Sequence, residues 1–420
     1  MKILHLNASD HLGGAARVAY RLHRGLLHEG HHSRMLVGYR TKPDSDIRGL
    51  VSEAPYYQRL AHRLVWGASN RLSLQYLFQG PIDPRHHPFV TWAQVINLHN
   101  THGGYLSHTL LPTLCRLRPV VWTLLDMWAL TGHCIYSYNC RRWETGCGHC
   151  PLLSDYPSLS FDTTAWLWKV KQHVYARSNF LIVTPSNWLK DLVSRSPLLG
   201  HFSVCTIPLG LDATIFQPIP KVVARKALDL PVEAKVVLFA AAKVNEPRKG
   251  ATYLLQALQK LAHEGMSNLW LLVAGEGPLP INESGVDGSL RIRYLGNVSD
   301  ESQLARCYAA ADIFVGPSLA EIFGQVFIEA MACGTPCVAF RVEGVPEVVR
   351  HMETGYLASP CDVQELSEGM RRLLIDEELR IRFGRAGRRL VEQEYTLATQ
   401  VHRYTEVYTQ ALEGFEAMMR

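Results

Sequence analysis

Residues 313–340, IFVGPSLAEIFGQVFIEAMACGTPCVAF, hold one full period of a strand, turn, helix, turn, strand pattern. The apolar run IFVG meets Pro317 and Ser318, helical spacing follows from Phe327 to Cys333, Gly334 to Pro336 break it, and the run CVAF begins. Short apolar runs bounded by Gly and Pro and separated by helical segments mark the strands of a parallel sheet covered on both faces. The pattern recurs outward from this stretch. In the same half lie VVLFAAA, LWLLVAG and IRYLG, with helices expected over 251–261 and 302–310. In the first half KILHLN, SRMLVGY, VINLH, PVVWTLLD and FLIVTPS are the strand candidates, and 15–27 is the first crossover helix. The segment 208–231, with Pro208, Pro218, Pro220 and Pro231, suits a linker. Residues 376–419 alternate charged and apolar positions at helical spacing, interrupted by Gly384 and Gly387.

A chain of 420 residues exceeds what one core usually organises. Two α/β domains are expected, 1–205 and 206–395, with a tail at 396–420. Doubly wound units in series would put their strand C-termini at a shared crevice, where such folds bind ligands. A composition of 47% hydrophobic and 19% charged residues excludes a disordered, collagen-like or coiled-coil chain. The net charge of +5 is modest and no run of five Lys or Arg occurs, so no nucleic-acid partner is expected. MKILHLNASD reads as a first strand and not as a signal peptide, and no stretch is apolar enough for a spanning helix. A cytoplasmic protein is expected, in which the ten Cys are thiols or metal ligands.

Within the opening stretch, Glu321 and Glu329 flank Gly324 at the expected turn into a helix. Such a turn presents backbone N–H groups and the positive end of the helix dipole to a phosphate. Glu329, inside the helix, is placed to accept the hydroxyls of a ribose, and Glu321, on the loop, to contact a sugar. A capped helix with surface acids explains this segment equally well when it is taken alone. Lys243 and the run Glu246-Pro247-Arg248-Lys249-Gly250 follow the first strand of the same half. Clustered cations at a strand end suit a diphosphate, with solvated surface lysines as the competing explanation. Gly13-Gly14, after the first strand of the other half, lets backbone approach a phosphate closely.

Taken in order, Gly13-Gly14, Lys243, Arg248-Lys249-Gly250, Pro317-Ser318 and EIFGQVFIEAMACGTP resemble the family 4 glycosyltransferases of the GT-B fold. The resemblance covers nearly the whole chain. It implies two Rossmann-like doubly wound domains facing across a cleft, the first binding acceptor, the second binding a nucleotide sugar, and a C-terminal helix returning to the first domain. It implies retaining transfer without a catalytic cofactor. Lys243, Arg248 and Lys249 would bind the donor diphosphate, Glu321 the transferred sugar and Glu329 the ribose. Phe323, Gly324, Gln325 and Val326 would line the pocket with backbone N–H groups. Position 243 is usually Arg in that family, and Lys keeps the charge while losing the bidentate fork. Cations and helix-terminal N–H groups aimed at the leaving diphosphate stabilise its developing charge, so the chemistry requires no metal.

PVVWTLLD ends where that family commonly carries His beside Asp, but here Leu125 precedes Asp126. Asp126 is the first candidate for acceptor contact and His99, ending VINLH, the second. A buried, satisfied His99 and a capping Asp126 are the plainer alternatives. The acceptor is expected to be a glycan or a lipid-linked oligosaccharide in polysaccharide biosynthesis. Cys134, Cys140, Cys147 and Cys150 form C-x5-C-x6-C-x2-C inside a Cys- and Gly-rich insertion at 127–163. Four thiolates suit a structural zinc ion with no open position, which would organise the insertion. Two disulfides or free thiols remain open, and His133 and His149 are substitute ligands. TGHC and CGHCP are similar to colanic-acid-type, surface-polysaccharide members of the same family. Tyr56, Tyr57, Arg59, Arg63, Trp66 and Arg71 on one helix, and Trp166, Trp168, Lys169 and Lys171 on another, suit either a membrane surface or a core with snorkelling cations. A nucleotide-sugar epimerase or a phosphorylase on the same fold is the rival enzyme. A non-catalytic partner of a polysaccharide-building complex, suggested by Leu125 and Lys243, is the rival outside enzymes.

Overall fold

The computed structural model describes residues 1–280 and 290–419, which fall into two units: residues 1–208 with the chain from Ala398 onward, and Leu209–Leu397. Unit 1 contains strands β1 (Lys2–Ser9), β2 (His32–Tyr39), β3 (Ile47–Gly49), β4 (Val95–Leu98), β5 (Val120–Thr123), β6 (Phe180–Thr184) and β7 (Ser203–Thr206). They form one parallel sheet in the order β3-β2-β1-β4-β5-β6-β7. Its helices are α1 (Gly14–His28), α2 (Tyr56–Arg71), α3 (Pro88–Trp92), α4 (Leu111–Leu117), α5 (Thr164–Tyr175) and α6 (Asn187–Arg195). Every residue of β4 and β5 is buried, which requires cover on both faces and explains why these strands read as unbroken apolar runs.

Unit 2 repeats the plan with β8 (Lys235–Lys243), β9 (Leu269–Glu276), β10 (Leu290–Gly296), β11 (Ile313–Gly316), β12 (Cys337–Phe340) and β13 (Gly355–Ala358), all parallel, in the order β10-β9-β8-β11-β12-β13. Its helices are α7 (Lys221–Ala227), α8 (Ala251–His263), α9 (Glu301–Ala310), α10 (Gln325–Ala332), α11 (Val345–Val348), α12 (Val363–Ile375) and α13 (Glu377–Glu394). In each sheet the chain builds outward one way from the first strand and then returns to build the other way. The reversals lie between β1 and β4 and between β8 and β11. Doubly wound sheets bind ligands beyond the strand C-termini at such reversals.

The Pro-rich stretch enters unit 2 through α7. Asp312, just before β11, accepts bonds from Arg225 (2.7 Å), Lys221 (2.6 Å) and the Val236 N–H (2.7 Å). Burial pushes the Asp312 carboxyl up, but the two cations outweigh it and hold it below the usual carboxylate range. The last helix, α14 (Leu397–Met419), packs in unit 1 from Ala398 on. Tyr404 and Tyr408 are fully buried there. Asn97 of β4 donates to the Tyr408 hydroxyl (2.7 Å), and Thr123 of β5 bonds both Asn97 Oδ1 (3.0 Å) and the Tyr404 hydroxyl (3.0 Å).

Residues 127–163 carry little regular structure and are held by bonds from neighbouring elements. Lys171 of α5, buried, donates to the Trp128 and Thr131 carbonyls (2.5 and 2.9 Å) with its ammonium 3.4 Å from the Trp128 ring centre. Trp168 donates to the Trp143 carbonyl (3.1 Å), and Ser73 Oγ accepts the N–H groups of Ser160 and Phe161. Lys171 and Trp168 are therefore core residues, whereas Trp166, 45% exposed, and Lys169 face outward. On α2 the pattern divides: Trp66 is buried, while Tyr56, Tyr57, Leu60 and Leu64 are exposed. Among the described residues no helix is long and apolar enough to cross a membrane.

Candidate functional site

Beyond the C-terminal ends of β8 and β11 the loops of unit 2 bring the expected charged residues together. After β8, a single 3-10 turn at Pro247–Lys249 ends at Gly250 with φ 73, a left-handed conformation in which glycine is free of Cβ strain. A Cβ on Gly250 would lie 1.9 Å from the Pro317 carbonyl oxygen, so the residue permits the two loops to touch. Contact is then fixed by backbone: Leu319 donates its N–H to the Arg248 carbonyl (2.8 Å), and Arg248 Nη1 donates to the Ala320 carbonyl (2.9 Å). Lys249 Nζ meets Glu321 Oε2 at 2.6 Å, and Arg248 stands 3.5 Å from the same oxygen. Arg248 also bonds Glu246 (2.8 Å). The Glu321 side chain is 12% exposed. Burial would raise its proton affinity, but Lys249 and Arg248 overcome this and keep it ionised.

Gly324, φ 91, starts α10, whose N-terminus has no side-chain cap and no acidic residue in its first turn. A Cβ at Gly324 would sit 2.4 Å from the Phe327 ring. An uncapped helix start beside two cations suits an anion. Gln325 and Val326 are partly exposed at this start, whereas the Phe323 side chain turns inward against the Tyr395 ring, 5.7 Å between centres. Lys243 lies at the exposed end of β8. Glu329 is fully buried and accepts the Tyr308 hydroxyl (3.0 Å). The structure thus gathers Arg248, Lys249, Glu321 and Gly324, and places Glu329 inside the core, bonded to Tyr308.

In unit 1 the equivalent strand ends carry a different group. Gly13, φ 89, caps the 15-residue α1, again without a side-chain cap bond, and space around its Cβ position is open. Asp126, after β5, accepts a bond from the Trp128 N–H (2.9 Å) and pairs with His102 Nε2 (2.8 Å). His102 Nδ1 faces the Tyr156 hydroxyl at 3.5 Å. His102 is 5% exposed, between Asp126, which is partly exposed, and Tyr156, which is 55% exposed. Asp126 and His102 border one small cavity with Asn100, Leu125 and Trp128. His99 borders it too, but its ring is engaged elsewhere: Nε2 meets His5 Nδ1 at 3.0 Å, and burial pushes the His99 imidazole down to about 3. Sequence reasoning did not select His102, Tyr156 or Glu343, a partly exposed neighbour of Glu321 whose Oε2 is buried. They lie far from their partners along the chain, and no spacing rule joins them.

The structural-zinc expectation is not supported. Cys134, Cys140, Cys147 and Cys150 border one cavity, yet among the described residues no group of three or more His, Cys, Asp or Glu side chains is arranged to hold a metal ion. Two of the sulfurs meet backbone donors. Cys147 accepts the Gly132 N–H (3.2 Å) and Cys150 the Leu152 N–H (3.4 Å), while burial pushes the Cys134 thiol up to about 12. None of the ten cysteines forms a disulfide.

Two solved structures share this architecture over almost the entire chain. Sucrose-phosphate synthase from Thermosynechococcus elongatus superposes with a TM-score of 0.70 at 20% identity, covering 99% of this chain and 100% of that one. HepE from Anabaena, solved in complex with UDP and glucose, gives 0.65 at 17% identity, covering 97% and 99%. The fold is therefore two parallel-sheet Rossmann-like domains of the GT-B type. More narrowly, residues 222–390, nearly all of unit 2, match the family described as Glycosyl transferases group 1. D-inositol 3-phosphate glycosyltransferase from Corynebacterium efficiens is 39% identical over 228 residues, 51% of this chain and 52% of that protein. The chain spans about half the length of the curated relatives it matches.

Proposed function

We propose that the protein is a glycosyltransferase that moves a sugar from a nucleoside-diphosphate sugar to a glycan or lipid-linked acceptor, with donor binding in unit 2 and acceptor binding in unit 1. The observation that carries the proposal is the Lys249–Glu321 contact of 2.6 Å, with Arg248 beside it, at the sheet reversal of unit 2 and next to the uncapped start of α10. Two cations and a helix N-terminus there suit a diphosphate, and a carboxylate among them suits sugar hydroxyls. Without donor, Lys249 and Glu321 neutralise one another. Donor binding redirects Lys249 to the phosphates and leaves Glu321 to the sugar.

In the reaction the bond from the anomeric carbon to the phosphate oxygen breaks and the bond to the acceptor oxygen forms. Lys249, Arg248 and the N–H groups of Gln325 and Val326 stabilise the charge gathering on the leaving diphosphate. Attack on the face that the diphosphate leaves retains configuration, and the acceptor proton passes to the departing phosphate oxygen. This charge supply is protein-borne, so transfer proceeds without a metal ion. In unit 1, Asp126, oriented with His102, receives the acceptor hydroxyl, and Gly13-Gly14 leave open backbone at the start of α1. The exposed Tyr56, Tyr57, Leu60 and Leu64 of α2, beside Arg59 and Arg63, support a peripheral seat on the cytoplasmic membrane face and a role in polysaccharide biosynthesis.

The test is incubation with UDP-glucose, GDP-mannose and ADP-glucose, following thermal shift and slow release of nucleoside diphosphate, with and without EDTA. One donor should raise the melting temperature and be hydrolysed slowly in either buffer. Lys249→Ala should abolish release and Glu329→Gln should weaken the shift. Wild-type turnover persisting in Lys249→Ala would overturn the assignment.

A further inference from the structure

Glu343 follows β12 in the turn before α11, close to Glu321 though distant in sequence. Its backbone φ is 44, the left-handed region that a side chain larger than glycine's enters at a cost. The next residue, Gly344, donates its N–H to the Glu321 carbonyl (3.1 Å). That contact holds the turn that carries Glu343 alongside the residue assigned to the sugar. Its Oε2 is buried and has no hydrogen-bond partner among the described residues. Buried polar atoms left unpaired are rare and call for a partner that the protein itself does not supply.

We infer that Glu343 is a second carboxyl of the donor site and binds a hydroxyl of the transferred sugar through Oε2. The inference rests on the donor role proposed above for unit 2. The chemistry favours a hydroxyl over a phosphate. Glu321 is an anionic neighbour and Arg248 is already shared between Glu246 and Glu321, so a further anion at Oε2 would be repelled. Burial pushes the Glu343 carboxyl up to about 7, helped by Glu321 and opposed by Arg248, so near neutrality a large share of it carries a proton. A carboxylic acid both donates and accepts, and so does a sugar hydroxyl. The unusual backbone at Glu343 is then the means of aiming the carboxyl into the site.

The test is calorimetric titration of the full-length protein with whichever of UDP-glucose, GDP-mannose or ADP-glucose the wild type binds best, and with the matching nucleoside diphosphate. Glu343→Ala should weaken the nucleotide sugar about tenfold, one hydrogen bond to a polar partner, and leave the nucleoside diphosphate unchanged. Glu343→Gln, which keeps an accepting carbonyl and an N–H donor, should stay close to wild type for both. If Glu343→Ala is too unstable to titrate, Glu343→Asp, one methylene shorter, should show the same selective loss. Equal loss for both ligands, or loss for neither, would overturn the inference while leaving the donor proposal standing. A wild type that binds none of the three nucleotide sugars would overturn both.

Discussion

Lys249 and Glu321 illustrate how a site is stored before its ligand arrives. Each neutralises the other at 2.6 Å, so removing either leaves a half-buried charge exposed to an unfavourable field. Lys249→Met should therefore raise the proton affinity of Glu321 as well as abolish donor binding; NMR titration of labelled glutamate in the two proteins measures this. Gly250 makes a steric prediction. Gly250→Ala would drive a methyl into the Pro317 carbonyl and forbid the left-handed turn. The melting temperature should drop by several degrees and donor affinity by about tenfold or more, since cations and carboxylate ride on the separated loops. At this scale the sequence was informative where charge and glycine marked a strand end, as at Arg248, Lys249, Gly250 and Gly324. Glu343 and His102 left no such mark, because what distinguishes them is a contact with a residue on another loop.

Elements were legible in proportion to their burial. β4, β5, β11 and β12, buried throughout, stood out as apolar runs, whereas β3, β7 and β13, equally short but not buried at every position, did not. Residues 127–163 show the limit of spacing rules: four clustered cysteines suggested a metal, but the segment is held by α5 and by Ser73. Lys171 is the centre of that hold, and its burial lowers the ammonium to about 7. Lys171→Ala would strip the Trp128 and Thr131 carbonyls of their donor, costing roughly 2 to 4 kcal/mol by analogy with other buried polar losses. Limited proteolysis should then cut within 127–163 in the variant and spare the wild type.

For the molecule as a whole, acidity acts with opposite sign on the buried histidines of unit 1 and on Glu343 of unit 2, whereas Asp312 and Glu321, held low in unit 2, lose their contribution in acid as the histidines do. In unit 1, burial lowers His23 to about 4 and His99 and His108 to about 3, so these rings stay neutral in the folded state. The unfolded chain takes up their protons below about pH 6.5, so their stability is complete above that pH and lost as pH falls. At pH 5 each should cost about 2 kcal/mol. Glu343, with its folded value raised to about 7, works in reverse: its contribution is present below about pH 4.5 and declines as pH rises through 7. Hydrogen exchange at pH 5 and 7.5 should show β1 and β4 losing protection in acid, with the turn after β12 moving the other way.

The seating of α14 in unit 1 sets an order of events during synthesis. Asn97 and Thr123 are made early, but the tyrosines that satisfy them, 404 and 408, leave the ribosome only after all of 209–397 has been translated. Unit 2 can complete its core while unit 1 still waits with two polar strand residues uncovered. A chain truncated near residue 397 and released from the ribosome should therefore hold a finished second unit and an unfinished first one, and chaperones should be engaged at the earlier-made half.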